Sequence, residues 1–393
     1  MKMSESFAIG IDVLLSEHRG WLAGRRVGLL SHQAALDAGG ATSAQRLRRE
    51  LGGKLVALFG PEHGFLGQAG AGVLTNTCRH PDWRIPVYSL YGSCRKPTPA
   101  MLAGIDVVVC DLQDLGARCY TYLATLRHML EAAAASGVAV IVADRPIPLP
   151  NVVDGPMPDP AFASFVAPAA LPLATGLTPA EAARWLRREL ALDLDLRVAA
   201  LSGWPRQGRR GADWPEFLPP SPGIRTWESG AAYLATVFSE ALPGIDCGRG
   251  TNLAFRLLGA PWLRAEPFCE RMNALRLGGV RFQPHRYVAG VPPYAGRELD
   301  GVRLAVVDHD RLHPAAVSVH VLHALAQMYG AARVWRHAGV RPAWFDQLYG
   351  TDRVRLALQD GASPAQIIGA WRREYRPFLR AREAARLYCQ KGE

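Results

Sequence analysis

The sequence has no G-x-S-x-G turn, no H-E-x-x-H pair, no G-x-x-x-x-G-K-[ST] loop, and no G-x-G-x-x-G after its first apolar run. These absences remove a nucleophile elbow, a zincin-type metal centre, a P-loop and a dinucleotide fingerprint. The seven cysteines include no C-x-x-C and do not make a disulfide framework. The eleven histidines are scattered, and His309 and His313 in "DHDRLHP" read as a solvent-facing loop, so no metal is expected. No apolar run approaches the roughly 18 residues of a membrane span. Polar residues interrupt every apolar cluster of the N-terminal "MKMSESFAIGIDVLLSEHRG", so a cytoplasmic protein is expected. Charged residues are only 20% of the chain, and no Lys/Arg block alternates with aromatics, which leaves out the usual nucleic-acid footprint.

The charge that is present leans one way. Lys and Arg number 45 against 35 acids, a formal net charge of +10. The excess is mostly arginine, in pairs such as Arg25-Arg26 and Arg187-Arg188. An anionic small molecule or polymer suits such a surface. At 393 residues with 49% hydrophobic content, the chain is expected to fold as two domains.

The first half alternates strand-like and helix-like segments. "RVGLLSH", "KLVALFG", "IPVYSLYG", "IDVVVCDLQD" and "VAVIVADRP" are apolar runs ending in polar residues, and a helical pattern from Thr121 to Ser136 is stopped by Gly137. This predicts a Rossmann-like parallel sheet covered on both faces, over residues 1–225. A helix is expected near Thr178–Leu190, with Thr178 as N-cap and Pro179 at its first position. The proline-rich "LPPSPGI" reads as a hinge into a smaller α+β domain, residues 226–393, closing the cleft. There, strands are expected at Leu253–Leu258, Val280–Tyr287 and Val302–Val307, and helices at Pro314–Met328, Pro364–Tyr375 and Arg380–Tyr388.

In such sheets ligands bind beyond the carboxyl ends of the strands, where the unusual polar clusters lie. "FGPEHGF" sets Glu62 and His63 between Pro61 and Gly64, where a rigid turn could hold a catalytic acid or base; the plain alternative is a helix cap or an arginine partner. "DLQDLGARCYTY" gathers Asp111, Asp114, Arg118, Tyr120 and Tyr122 in one strand-to-helix turn, a mix suited to a sugar bearing a carboxylate. Its plain reading is an N-cap at Asp114 and an internal Arg118–Asp111 pair. Asp144 and Arg145 end another strand in "DRPIP", and "DCGRGTN" could bring Arg249 as an anion-binding arginine or could be only a turn.

Taken together, "LFGPEHGFLG", "PVYSLYGSCRKPTPAML", "DLQDLGARCYTYLATL", "DRPIPL", "GPMPD", "PPSPGI" and "GRGT" resemble the exo-β-N-acetylmuramidase (NamZ) family, from about Val27 to Tyr388. The resemblance implies a Rossmann-like domain, a smaller second domain and a cleft between them. It also implies removal of terminal N-acetylmuramic acid from peptidoglycan fragments, without a cofactor. Carried over by motif, Glu62 matches the family's catalytic glutamate, here taken as general acid. His63, Asp111, Asp114, Arg118, Tyr120, Asp144 and Arg145 match positions lining the cleft. The second catalytic group could be Asp114, Asp246 or the substrate's own acetamide. Arg118 and Arg249 would hold the lactyl carboxylate, with Tyr120 against the sugar. The chain departs from the family pattern at Cys247, directly before Gly248 where a glutamate is expected; Asp246 or Glu240 could take its place. That departure motivates an alternative, a muropeptide-binding protein without catalysis.

Overall fold

The computed structural model describes residues 7–388. Seven strands, β1 (Val27–Ser31), β2 (Leu55–Gly60), β3 (Cys78–Arg79), β4 (Pro86–Ser89), β5 (Val107–Asp111), β6 (Ala139–Ala143) and β7 (Leu196–Ala199), form one sheet in the order β3-β4-β2-β1-β5-β6-β7. All neighbours are parallel except the edge pair β3–β4. Successive side chains point to opposite faces of a strand, and both faces here are covered. Leu30, Phe59, Val108, Cys110, Val140 and Val142 enter one core, whereas Val27, Leu29, Leu58, Val107, Val109 and Ile141 enter another on the opposite face. Two-sided burial is why these strands read as continuous apolar runs instead of alternating ones.

The helix Tyr122–Ala135 follows β5 and the helix Pro179–Glu189 follows β6. The second begins with a capping box in which Thr178 and Glu181 satisfy each other's exposed backbone amides. The strand β7 was not anticipated, since "LRVA" is only half-buried over most of its length and lacks a full apolar run.

The second domain carries β8 (Leu257–Leu258), β9 (Val280–Val288) and β10 (Glu298–Val306), an antiparallel sheet ordered β8-β10-β9. The expected strand at 253–258 contracts to two residues, because Leu253 belongs to the turn that follows Gly248. The helices Pro314–Tyr329 and Pro364–Glu374 lie where expected, but the last helix is Arg376–Arg382, followed by a turn.

The domains share one apolar core, running from Leu123 and Leu173 through Phe255 and Leu322 to Phe345 and Trp371. Arg118 links them: its guanidinium donates to the carbonyls of Pro156 (2.9 Å) and Leu171 (2.9 Å) in one and of Leu348 (3.3 Å) and Tyr349 (2.5 Å) in the other. Gly350, in the left-handed region at φ 72°, makes room for this, since a Cβ there would stand 2.6 Å from Arg118 Nη2. The end of the chain returns to the first domain, where Tyr388 donates its hydroxyl to Asp144 at 2.6 Å. "LPPSPGI" is anchored rather than loose. Gln33 donates to the Pro219 carbonyl (2.9 Å) and Tyr122 to that of Pro220 (2.6 Å), while Ser221 and Ile224 are buried.

Candidate active site

The chain reverses its direction across the sheet between β1 and β5, the usual place for a ligand in an open parallel sheet. Here that crevice is filled from within. Asp111, at the end of β5, is bridged by both arms of Arg145 and by the Ser43 hydroxyl, and Arg145 also donates to the Leu36 carbonyl at 2.8 Å. All three side chains are buried. The open polar ground lies one step over, at the end of β2 and the start of the helix Tyr122–Ala135.

There the chain leaves β2 through Pro61-Glu62-His63-Gly64, closed by a hydrogen bond from the Gly64 amide to the Pro61 carbonyl (3.0 Å). His63 sits at φ 73°, where a non-glycine residue is strained. It is held there by Ala69, which donates its amide to the His63 carbonyl (3.1 Å) and accepts Nδ1 of the imidazole (2.9 Å). His63 therefore shapes the loop that follows.

Glu62 points the other way. Its Oε1 accepts the amide of Gly72 and its Oε2 the hydroxyl of Thr121, both at 2.7 Å. Thr121 precedes the helix Tyr122–Ala135, so the carboxylate also lies near that helix's positive end. The Tyr91 hydroxyl faces it, raised by burial and then by the charge of Glu62. Over the Tyr91 ring lies the Arg95 guanidinium, 4.9 Å from its centroid and 4.6 Å from that of Phe165.

The second domain supplies Glu240, at the end of the short 3-10 turn Val237–Glu240. Its side chain keeps 20% of its surface exposed, and Arg249 Nη1 stands 3.6 Å from Oε1. Burial pushes the Glu240 carboxyl up; Arg249 pulls it down, Glu62 pushes it up again and Arg341 pulls it down. Among the described residues no hydrogen bond is donated to either of its carboxylate oxygens. Tyr120 and Tyr122 (ring centroids 4.7 Å apart) and Tyr233 (5.9 Å from Tyr120) form the floor, where the buried Tyr120 hydroxyl is without a partner.

The structure thus brings together Glu62, Tyr120 and Arg249 from the expected set, and adds Glu240 and Tyr91. The others have internal employment. Arg118 cannot reach a substrate carboxylate, because both of its terminal nitrogens are taken by carbonyls and it is fully buried. Burial lowers it to about 10. Asp144 accepts from Thr178 (2.7 Å), the Ala180 amide (2.9 Å) and Tyr388, capping a helix, and burial raises it to about 7. Asp114 accepts the Gly116 amide at 2.7 Å in a tight turn, and burial raises it to about 7 as well. Asp246 accepts from the Gly248 amide (2.7 Å) and Tyr287 (2.6 Å), fixing the turn that carries Arg249. Asp111 and Arg145 are the buried pair already described.

Cys247 is a core residue, its thiol pushed up to about 12 by burial, so its side chain does not occupy the site at all. His309 and His313 are half-buried rather than in solvent, and among the described residues no group of three potential metal ligands gathers. A cavity of about 800 Å³ opens at the amino ends of the strands, lined by Arg25, Asp106, Gly137 and Asp195, away from these groups. No helix among the described residues is long and apolar enough to cross a membrane. Tyr91 and His32 were missed; the strand-end rule that picked out Glu62 applies equally to "SLYG" and "LLSH". His32 is held neutral by burial, at about 3, and accepts the Gln113 amide at 2.9 Å.

A Rossmann-like sheet without a nucleotide motif, with a glutamate from each of two domains near tyrosines and arginines, defines a two-domain α/β protein. Models of the exo-β-N-acetylmuramidase NamZ N-terminal and C-terminal domains match residues 27–228 and 231–388. The peptidoglycan β-N-acetylmuramidase NamZ of Bacillus subtilis (strain 168) is 34% identical over 380 residues, 96% of this chain and 91% of that protein. A DUF1343 family protein from Bacteroides fragilis NCTC 9343 superposes with a TM-score of 0.90 at 30% identity, covering 98% of this chain and 99% of the other. A second from the same organism gives 0.75 at 24% identity, covering 97% and 99%. The chain belongs to the NamZ exo-β-N-acetylmuramidase family.

Proposed function

We propose that this chain is an exo-acting β-N-acetylmuramidase, a glycoside hydrolase that releases N-acetylmuramic acid from the non-reducing end of peptidoglycan fragments. The activity named for the B. subtilis relative supports this reading. The observation that carries it is that Glu62 and Glu240, from the two domains, lie near enough for the charge of one to act on the other, as in the carboxylate pairs that glycoside hydrolysis uses. Glu240 takes the place considered for Asp114 and Asp246, whose carboxylates are engaged by backbone amides. Muramic acid differs from glucosamine by a lactyl carboxylate, and Arg249, Arg341 and Arg95 surround the pair with cations that could receive it. The hydroxyl of the buried Tyr120, without a partner, is a polar group left for a sugar hydroxyl.

Release of nitrophenol from para-nitrophenyl β-N-acetylmuramide tests the reading, with the corresponding glucosaminide as control. Wild-type protein should cleave the muramide and spare the glucosaminide, and Glu62→Gln should lower turnover by about 10³-fold or more. Muramide left intact by the wild type, with saturable binding of N-acetylmuramic acid, would replace the enzyme by a binding protein.

A further inference from the structure

The two glutamates do not stand in equivalent surroundings. Glu62 accepts a backbone amide on one oxygen and a hydroxyl on the other, faces the Tyr91 hydroxyl, and lies near the positive end of a helix. Each of these groups directs a donor or a positive partial charge at the carboxylate and holds it in place. Glu240 has the opposite setting. Neither of its carboxylate oxygens accepts a hydrogen bond among the described residues, part of its surface opens to solvent, Arg249 stands off at 3.6 Å, and Arg341 donates to its backbone carbonyl instead. The buried thiol of Cys247 and the phenol of Tyr233 lie behind it.

Resting on the muramidase reading, we infer that Glu240 is the proton donor of the reaction and Glu62 the partner carboxylate, held by its two hydrogen bonds to face the anomeric carbon. This reverses the role that the "PEHGF" motif invites for Glu62. Glu240 gives its proton to the glycosidic oxygen as the C1–O bond breaks, and the electron pair of that bond leaves with the aglycone, which departs as an alcohol. Glu62 faces the positive charge left at C1. Water then supplies hydroxyl to C1, and the remaining proton restores Glu240. The direction in which burial and Glu62 push Glu240 agrees with this division, because environments that drive two carboxyls apart separate acid from base.

Leaving-group dependence separates the two roles. A proton donor is dispensable when the aglycone leaves readily as an anion, whereas the partner that faces C1 is needed for every aglycone. Glu240→Gln and Glu62→Gln are to be compared with wild type on two substrates: the disaccharide of N-acetylmuramic acid linked to N-acetylglucosamine, and 2,4-dinitrophenyl β-N-acetylmuramide. Glu240→Gln should lose about 10³-fold in kcat/KM on the disaccharide and come within about tenfold of wild type on the dinitrophenyl glycoside. That recovered turnover also proves the variant folded. Glu62→Gln should lose a similar large factor on both. The wild-type pH profile on the disaccharide should have a basic limb that is absent from its profile on the dinitrophenyl glycoside. Recovery by Glu62→Gln instead, or equal losses by Glu240→Gln on both substrates with an unchanged melting curve, would overturn the assignment and leave the muramidase standing. A wild type inactive on both substrates overturns the muramidase reading itself.

Discussion

At the scale of single residues, buried charge and catalytic charge look alike in a sequence and differ completely in a structure. Asp114 and Asp144 end strands as catalytic carboxylates do, yet each is folded into a turn or cap and raised to about 7 by burial. A folded state that holds a proton up to about pH 7, against an unfolded value near 3.9, loses stability as pH climbs between the two. Asn copies the protonated carboxyl, so Asp114→Asn should match wild type near pH 4 and gain on it steadily up to about pH 7, with no further gain above. Urea melts at a series of pH values would check this, and parallel curves for the two proteins would refute the burial argument. Nothing in the sequence distinguished these aspartates from Glu62. Only the positions of the Gly116 and Ala180 amides do that.

At the scale of elements, the strands were legible and the short turns were not. Runs such as "KLVALFG" and "VAVIVADRP" announce strands because both faces are buried, and Thr178 with Glu181 announces a helix start because the capping box is local. Glu240 was named only as a stand-in. It reaches the site through a 3-10 turn of four residues, too short to leave a periodic signature. The start of the helix Tyr122–Ala135 has a second duty. Thr121 occupies the N-cap position with its side chain accepting nothing from the helix, and its hydroxyl goes to Glu62 instead. Thr121→Val keeps the shape and removes the donor. It should lower muramide turnover by about tenfold while changing stability by about 1 kcal/mol or less. Steady-state kinetics beside a thermal melt would check both halves of that expectation.

At the scale of the whole molecule, the two domains are expected to unfold together. The core is continuous, the chain end returns to Asp144, and the Arg118 fork holds carbonyls from both domains. The return was invisible in the sequence because its partners stand 244 positions apart. Removing the guanidinium would leave buried carbonyls unpaired, so Arg118→Ala should cost about 3 kcal/mol or more. Differential scanning calorimetry should show one transition for wild type and one, several degrees lower, for the variant; two separated transitions would contradict the shared core. The fork has a consequence for inheritance. Its partners are main-chain oxygens, present whatever side chains the second domain carries. A second domain exchanged between distant relatives, joined between residues 228 and 231, should therefore still be gripped by Arg118 as long as it keeps glycine at position 350. Recombination could thus vary Glu240, Arg249 and their surroundings while the grip between the domains stayed the same.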